Sequence, residues 1–281
     1  MEKKIALLII DAQNDFCDPK GSLFVDGAVE DNERLSKFIV DMKNEINFIG
    51  CTLDSHQKMD IAHPKFWVDK DGKHPSPFSV ITAADVEDGT WSSVKPQASL
   101  KYLRDLEADG QYPHVIWPEH CVIGTWGNNL EQKVNDAVLS WAAEGHFVQY
   151  VSKGANPFTE HFGAFEAQVP IQNVQATQYN LGLQKTLEKY DVIYLSGQAK
   201  SHCVANTLKQ LVEKAPDVAK KVVVLEDTMS PVSGGPNGPG TTPTFDEIAQ
   251  PIYDAAAKIG VRFSTTVAEN ITTNSKSTQP A

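Results

Sequence analysis

The 281-residue chain is 41% hydrophobic and 22% charged, enough for one large domain or two small ones around a substantial core. Its net charge of −11 supplies no clustered Lys and Arg for nucleic acid or an anionic membrane surface, and it suits a small neutral or cationic substrate better. No run approaches the roughly 18 apolar residues of a membrane span, the N-terminal apolar stretch is too short for a secretory signal, and the scattered Cys17, Cys51, Cys121 and Cys203 argue for free thiols in a reducing cytoplasm.

Residues Ile5 to Ile10 read as a strand buried on both faces of a parallel sheet and ending at Asp11. Residues 30–45 carry Leu35, Phe38, Ile39 and Met42 on one helical face. A second strand over 47–53 ends in Asp54-Ser-His56. From 57 to 113 the periodicity weakens and Pro, Gly, Asp and Lys accumulate, which predicts a long surface insertion with one short helix near 98–106 and a possible role as a lid. After the segment Val115 to Val122, a helix is expected over 128–144, then a strand over 146–152 ending in Lys153-Gly154. A loop over 155–176, a helix over 178–189 and a strand over 191–196 follow, and then a helix from Cys203 to Val212. A strand over 221–226 ends in Asp227, expected to cap the next loop; residues 230–243 are a Gly- and Pro-rich loop, 245–259 a helix and 261–265 a strand. The polar tail 270–281 is expected to fray. Repetition of this strand-helix unit without a composition break predicts one doubly wound α/β domain over 1–269, with a mostly parallel sheet and helices on both faces.

Ligands of such folds bind beyond the carboxyl ends of the strands. The residues found there are Asp11, Asp54, His56, Lys153 and Cys203. Singly, each has an ordinary role as a cap, a solvated charge or a packed thiol. Jointly, a carboxylate that takes a thiol proton and an ammonium that stabilises the thiolate make an activated nucleophile. Cys203 is expected where a helix begins, where free N–H groups and the dipole lower a thiol pKa from about 8.5 to roughly 3.5–7.5. Cys51 is read as core, and Cys17 and Cys121 as packing or pocket residues without a base; Lys200, Ser201 and His202 either flank the pocket or sit in a solvated turn. Asp54 and His56, two residues apart past a strand end, can point the same way, and with a further histidine they would suit a catalytic divalent ion with open positions, whether zinc, iron or manganese. No Gly-x-Ser-x-Gly elbow and no Gly-x-Gly-x-x-Gly or Walker loop occurs.

Several separate motifs carry a resemblance. Asp11-Ala-Gln-Asn-Asp-Phe-Cys17 with Gly21-Ser-Leu-Phe-Val-Asp-Gly-Ala28 resembles the N-terminal signature of the isochorismatase-like cysteine hydrolases, and of the nicotinamidase branch in particular. Asp54-Ser-His56 resembles that family's metal pair, Trp117-Pro-Glu-His120 the segment with its further metal histidine, Lys153-Gly154 its lysine and Gly197-Gln-Ala-Lys-Ser-His-Cys203-Val its nucleophile segment. The resemblance runs from about residue 3 to 265, with a longer stretch between His56 and His120 than compact relatives have, and Gln198 where Val is common. It implies an Asp11, Lys153 and Cys203 triad, an oxyanion hole at the N–H groups of Ala199 and Cys203, a cis peptide before Ala199 and ring walls at Phe16 and Trp117. It also implies a divalent metal, zinc first, at Asp54, His56 and His120, with His63 or His74 left open as a further ligand. The implied activity is hydrolysis of nicotinamide to nicotinate and ammonia through a cysteine thioester. Another small amide, carbamoyl or ureido substrate, and a non-catalytic binding member, stand as alternatives. A homo-oligomer is expected, as symmetric assemblies of one chain are common among soluble proteins.

Overall fold

Strand β1 (Ile5–Ile10) is apolar at every position, and its two faces feed two separate cores. Ile5, Leu7 and Ile9 point into one apolar cluster, and Ala6, Leu8 and Ile10 into the other. A strand buried on both sides needs helices on both sides, and the computed structural model, which describes residues 3–110, 112–238 and 240–270, supplies them.

Six parallel strands form the main sheet in the order β5-β2-β1-β6-β7-β8. Besides β1 they are β2 (Ile46–Asp54), β5 (Val148–Lys153), β6 (Val192–Gly197), β7 (Val222–Leu225) and β8 (Arg262–Ser264). After the short α1 (Asn14–Cys17), helix α2 (Ala28–Asp41) lies on one face through Leu35, Phe38 and Ile39, beside α5 (Gln132–Ala142) with Val134, Val138 and Trp141. The other face is covered by α6 (Leu181–Leu187), α7 (Ala205–Lys214), α8 (Pro216–Ala219) and α9 (Phe245–Ile259). This is the mostly parallel α/β architecture read from the sequence. Because β2 and β6 flank β1 on opposite sides, the order reverses at β1, the place where such sheets hold ligands.

Element ends differ from the sequence reading where caps decide them. The helix expected over 128–144 starts only at Gln132, since the Glu131 carboxylate accepts from the N–H groups of Lys133 and Val134. Helix α6 likewise begins after Asn180, whose side chain accepts from Leu183 N. Helix α8 was not foreseen.

The insertion is more ordered than its weak periodicity suggests. It holds a 3₁₀ turn at Pro64–Phe66, the antiparallel pair β3 (Trp67–Val68) and β4 (Ser92–Ser93), α3 (Ala83–Glu87) and α4 (Pro96–Asp109). Ile61, Phe66, Trp67, Ile81, Tyr102 and Leu103 close into a third apolar cluster of their own. The short helix expected near 98–106 is a full 14 residues, entered at Pro96 and ended by Gly110. Among the described residues no helix is long and apolar enough to cross a membrane. The fraying expected of the tail falls, beyond Asn270, outside the described residues.

Candidate active site

The nucleophile segment leaves β6 at Gly197, the register partner of Ile10. Gly197 has φ 116°, and a Cβ there would lie 1.9 Å from the Ile10 oxygen, so a side chain is excluded. Gln198 N then donates to that oxygen at 2.8 Å, and the Gln198–Ala199 peptide is cis, as the resemblance implied. The Gln198 side chain is used as well: its amide donates to Asp31 Oδ2 at 3.0 Å and its oxygen accepts from Ser230 N at 3.2 Å. One π-helical turn, Lys200–Val204, precedes α7, so Cys203 lies inside that turn and not at the start of an α-helix.

Three strand ends meet the thiol. Lys153 closes β5 opposite Asp54 in register. Its ammonium is 2.8 Å from Asp11 Oδ2, 3.1 Å from Asp54 Oδ1 and 2.9 Å from the His161 oxygen, which uses its three hydrogens, and it lies 3.7 Å from Cys203 Sγ. Asp11, at φ 42°, accepts at Oδ1 from the Thr52 hydroxyl at 2.6 Å. All four reacting-type side chains, Asp11, Asp54, Lys153 and Cys203, are buried.

Burial penalises the Lys153 ammonium, but Asp11, Asp54 and Cys203 outweigh it and hold its pKa well above the ordinary lysine value. For Asp54, burial is outweighed by His56 and Lys153, which hold the carboxyl well below the usual range. Burial raises Asp11 despite the opposing Lys153, with Asp54 adding to the rise. Cys203 is pushed well above an ordinary thiol by burial first and then by the two carboxylates, against Lys153. The thiolate expected from a helix start is therefore not the resting form. Two carboxylates and one ammonium leave this corner net negative, and a neutral thiol is favoured there.

The same carboxylate, Asp54, borders the imidazoles. Gln13 clamps it from behind, its amide donating to Asp54 O at 2.8 Å and its oxygen accepting from Asp54 N at 2.7 Å. Asp15 Oδ2 accepts from Cys121 N at 2.6 Å and so fixes the bend, with Cys121 at φ 46°, that delivers His120. The Asn14 amide donates to Trp126 O at 2.8 Å. Each polar position of the Asp11-to-Phe16 motif thus ties β1 to the site.

Ring nitrogens of His56, His63 and His120 converge within 4.8 Å of one another, all three buried. His56 Nε2 and His120 Nε2 lie 3.0 and 3.5 Å from Asp54 Oδ2. Their far nitrogens are occupied elsewhere: His120 Nδ1–H donates to Pro118 O at 2.8 Å, and His56 Nδ1 sits 3.2 Å from Asp60 Oδ2. Outer partners of this kind orient a ligating imidazole. Burial, then His120 and His56, keep His63 neutral with a pKa of about 2. The donor set fits a divalent cation. His74 is no part of it; it is exposed and its Nδ1–H donates to Trp67 O at 2.7 Å.

Between the two groups lies a cavity with Phe16, Trp117, Phe162, His202, Ala199 and Cys203 in its wall. Phe16 and Trp117 had been expected there. His202, of which the sequence left two readings, lies in the wall, its ring 5.2 Å from Trp117 and 5.3 Å from Phe162, and burial holds it neutral with a pKa of about 3. Ser201 backs it, Oγ to Nδ1 at 2.9 Å, while Lys200 turns to the surface and pairs with Asp246 at 2.9 Å. Phe162 and Glu160 escaped the sequence reading because the loop 155–176 carries no periodic signal. Burial raises Glu160 to about 8, with Asp60 and Asp54 adding and His56 opposing. The remaining cysteines are free, buried and without a base; Cys51 is pushed up to about 12. Asp227 caps no following loop: its carboxylate accepts from Thr266 N at 2.9 Å and the Thr266 hydroxyl at 2.7 Å, at the start of the helical run 266–270.

No protein-family model matches the chain. In sequence it is similar to the nicotinamidase of Saccharomyces cerevisiae, 29% identical over 232 residues that cover 82% of this chain and 89% of that one. In structure it is similar to the yeast nicotinamidase bound to the inhibitor nicotinaldehyde, with TM-score 0.63, 25% identity and coverage of 93% and 99%. A nicotinamidase/pyrazinamidase from Acinetobacter baumanii matches with TM-score 0.60 and 20% identity over 95% of this chain and 98% of that one. A pyrazinamidase of Pyrococcus horikoshii in complex with zinc matches with TM-score 0.52 and 16% identity over 93% and 99%. At those identities the last two bear on the fold alone.

Proposed function

We propose that this chain is a nicotinamidase of the isochorismatase-like superfamily, an amidohydrolase that converts nicotinamide to nicotinate and ammonia. The observation that carries this reading is that Cys203, in the wall of an aromatic-lined cavity, has its sulfur 3.7 Å from the Lys153 ammonium, which is itself 2.8 Å from Asp11. The likeness to yeast nicotinamidase supports the choice of substrate.

Cys203 rests as a thiol. As its sulfur bonds to the carboxamide carbon, its proton passes to Asp11, and Lys153 stabilises both the departing charge on sulfur and the carboxylate. The carboxamide oxygen takes up the negative charge and is received by the N–H groups of Ala199 and Cys203, worth about 3 kcal/mol per donor. The oxyanion's electron pair re-forms the carbonyl bond, the C–N bond breaks with its electrons going to nitrogen, and Asp11 gives its proton to that nitrogen, which departs as ammonia. Asp11 then takes a proton from water, whose oxygen attacks the thioester; the sulfur leaves and regains a proton. Phe16, Trp117 and Phe162 exclude water from the ring side of the cavity. Asp54, His56 and His120, with His63, would hold a divalent ion, zinc first, which when bound supplies Lewis acidity and a fixed contact for the pyridine nitrogen.

A single domain over 1–269, with the ordered insertion 57–113 acting as a lid over Trp117, fits the edge contact between Phe78 and Trp117 at 5.9 Å. Four free, buried cysteines support a reducing cytoplasmic location and a role in pyridine nucleotide salvage. The test is ammonia release from nicotinamide, pyrazinamide and a set of carbamoyl and ureido compounds, with and without chelator. Chelator-sensitive turnover of nicotinamide is expected. Turnover confined to carbamoyl compounds and indifferent to chelator would replace this reading with another member of the superfamily.

A further inference from the structure

The two edges of the main sheet are finished differently. Strand β8 is three residues long, begins with a charged residue, Arg262, paired with Glu269 at 3.2 Å, and leads into the helical run 266–270. Short length and charge are the usual protections of an edge against pairing with another chain. Strand β5 has neither along its exposed length, its one charge, Lys153, being buried at the end. It is six residues long, and from Phe147 to Ser152 the sequence Phe-Val-Gln-Tyr-Val-Ser contains no charge and no proline. Among the described residues only β2 pairs with it, so its other side presents unpaired backbone N–H and C=O groups.

Apolar side chains flank that open side. Phe147, immediately before the strand, is 92% exposed, and Tyr150 within it is 48% exposed. Tyr150 shares the parity of Val148, whose side chain packs toward the cluster containing α5, and α5 itself leaves Leu139 half exposed.

We propose that this edge is a two-fold interface at which β5 pairs antiparallel with β5 of a second copy of this chain, joining two six-stranded sheets into one of twelve. The occupant is argued from charge. Each copy carries −11, so most of the surface repels its like, and this uncharged edge is where two copies meet without opposing ionised groups. An antiparallel two-fold also makes the segment its own complement. Every second residue of the edge exchanges both backbone bonds with its counterpart, up to about six in all, while Phe147 and Tyr150 are covered. One strand pair with two aromatic side chains per copy is a small contact, so weak, concentration-dependent association is expected.

Sedimentation velocity of the full chain from about 1 to about 100 μM, a range that reveals weak self-association, tests this together with amide hydrogen exchange. The expected result is a shift from one 30.8 kDa chain to two, with exchange at residues 147–152 slowing at least several-fold as the concentration rises. The double variant Phe147→Lys, Tyr150→Lys should stay at the mass of one chain, with unchanged ammonia release and fast exchange at the edge. A wild-type chain that remains single at the highest concentration overturns the proposal. So does a dimer whose 147–152 amides exchange equally fast at all concentrations, since it must use another surface, and that reading needs no folded variant.

Discussion

Asp11, Asp54 and Lys153 stand at the ends of three strands of one sheet, whose register brings them together. His63 and His120 reach the imidazole cluster from outside that sheet, on segments pinned by side chains: Asp15 holds the Cys121 bend and Asp60 Oδ1 accepts from Ala62 N at 3.1 Å. The first group forms a net-charged cluster that burial makes intolerant of losing any member. The second is a ring of three imidazoles in which burial keeps His63 neutral, while at His56 the carboxylates Asp54 and Asp60 outweigh burial and raise the pKa well above the ordinary value. Asp54 belongs to both, bonded to Lys153 at one oxygen and facing two imidazoles with the other.

That contrast ranks what substitutions should do. Cys203→Ala removes the only attacking atom and should lower nicotinamide turnover by at least about 10⁴-fold with the fold retained; activity within tenfold of wild type would end the nucleophile assignment. Lys153→Met strands two buried carboxylates and should cost about 3–5 kcal/mol in denaturant unfolding, besides abolishing turnover. An unfolding free energy unchanged within about 1 kcal/mol, the uncertainty of extrapolating to zero denaturant, would mean that the cluster does not share charge as described. On the imidazole side, His120→Ala should lose bound metal, read by elemental analysis, with a smaller fall in unfolding free energy than Lys153→Met. His63→Asn should weaken metal binding by about 10–100-fold, whereas His74→Asn should not change it; equal effects of the two would remove His63 from the set.

The smallest effect is a pH slope. The buried imidazoles of His114 and His202 titrate near 4 and 3 in the folded chain, with burial the leading cause, against about 6.5 unfolded. Below 6.5 the unfolded chain binds protons that the folded one refuses, so stability falls with acidification. From pH 6.5 to 5.5 the loss is about 1 kcal/mol per imidazole. A melting temperature flat across that window would contradict their neutral burial.

Legibility followed the same division. Strand ends could be read because each apolar run stops at a polar residue, and in a doubly wound sheet those stops share one rim; Asp11, Asp54, Lys153 and Cys203 were found that way. His63, Glu160, Phe162 and Asp60 were not singled out, or were left open, because they sit in irregular stretches where no period marks which side chain turns inward. The insertion was misjudged for a related reason: Phe66, Trp67, Ile81 and Tyr102 are spaced without rhythm, yet they converge on one another. The thiol's ionisation was missed because a helix-end argument weighs the dipole and omits the two carboxylates that folding brings beside the sulfur.

That last feature bears on peroxide stress. Oxidation to sulfenic acid begins from the anion, and Cys203 at rest keeps its proton, shielded beside Asp11 and Asp54. A sulfur that keeps its proton at rest offers an oxidant little of the anion from which that reaction starts.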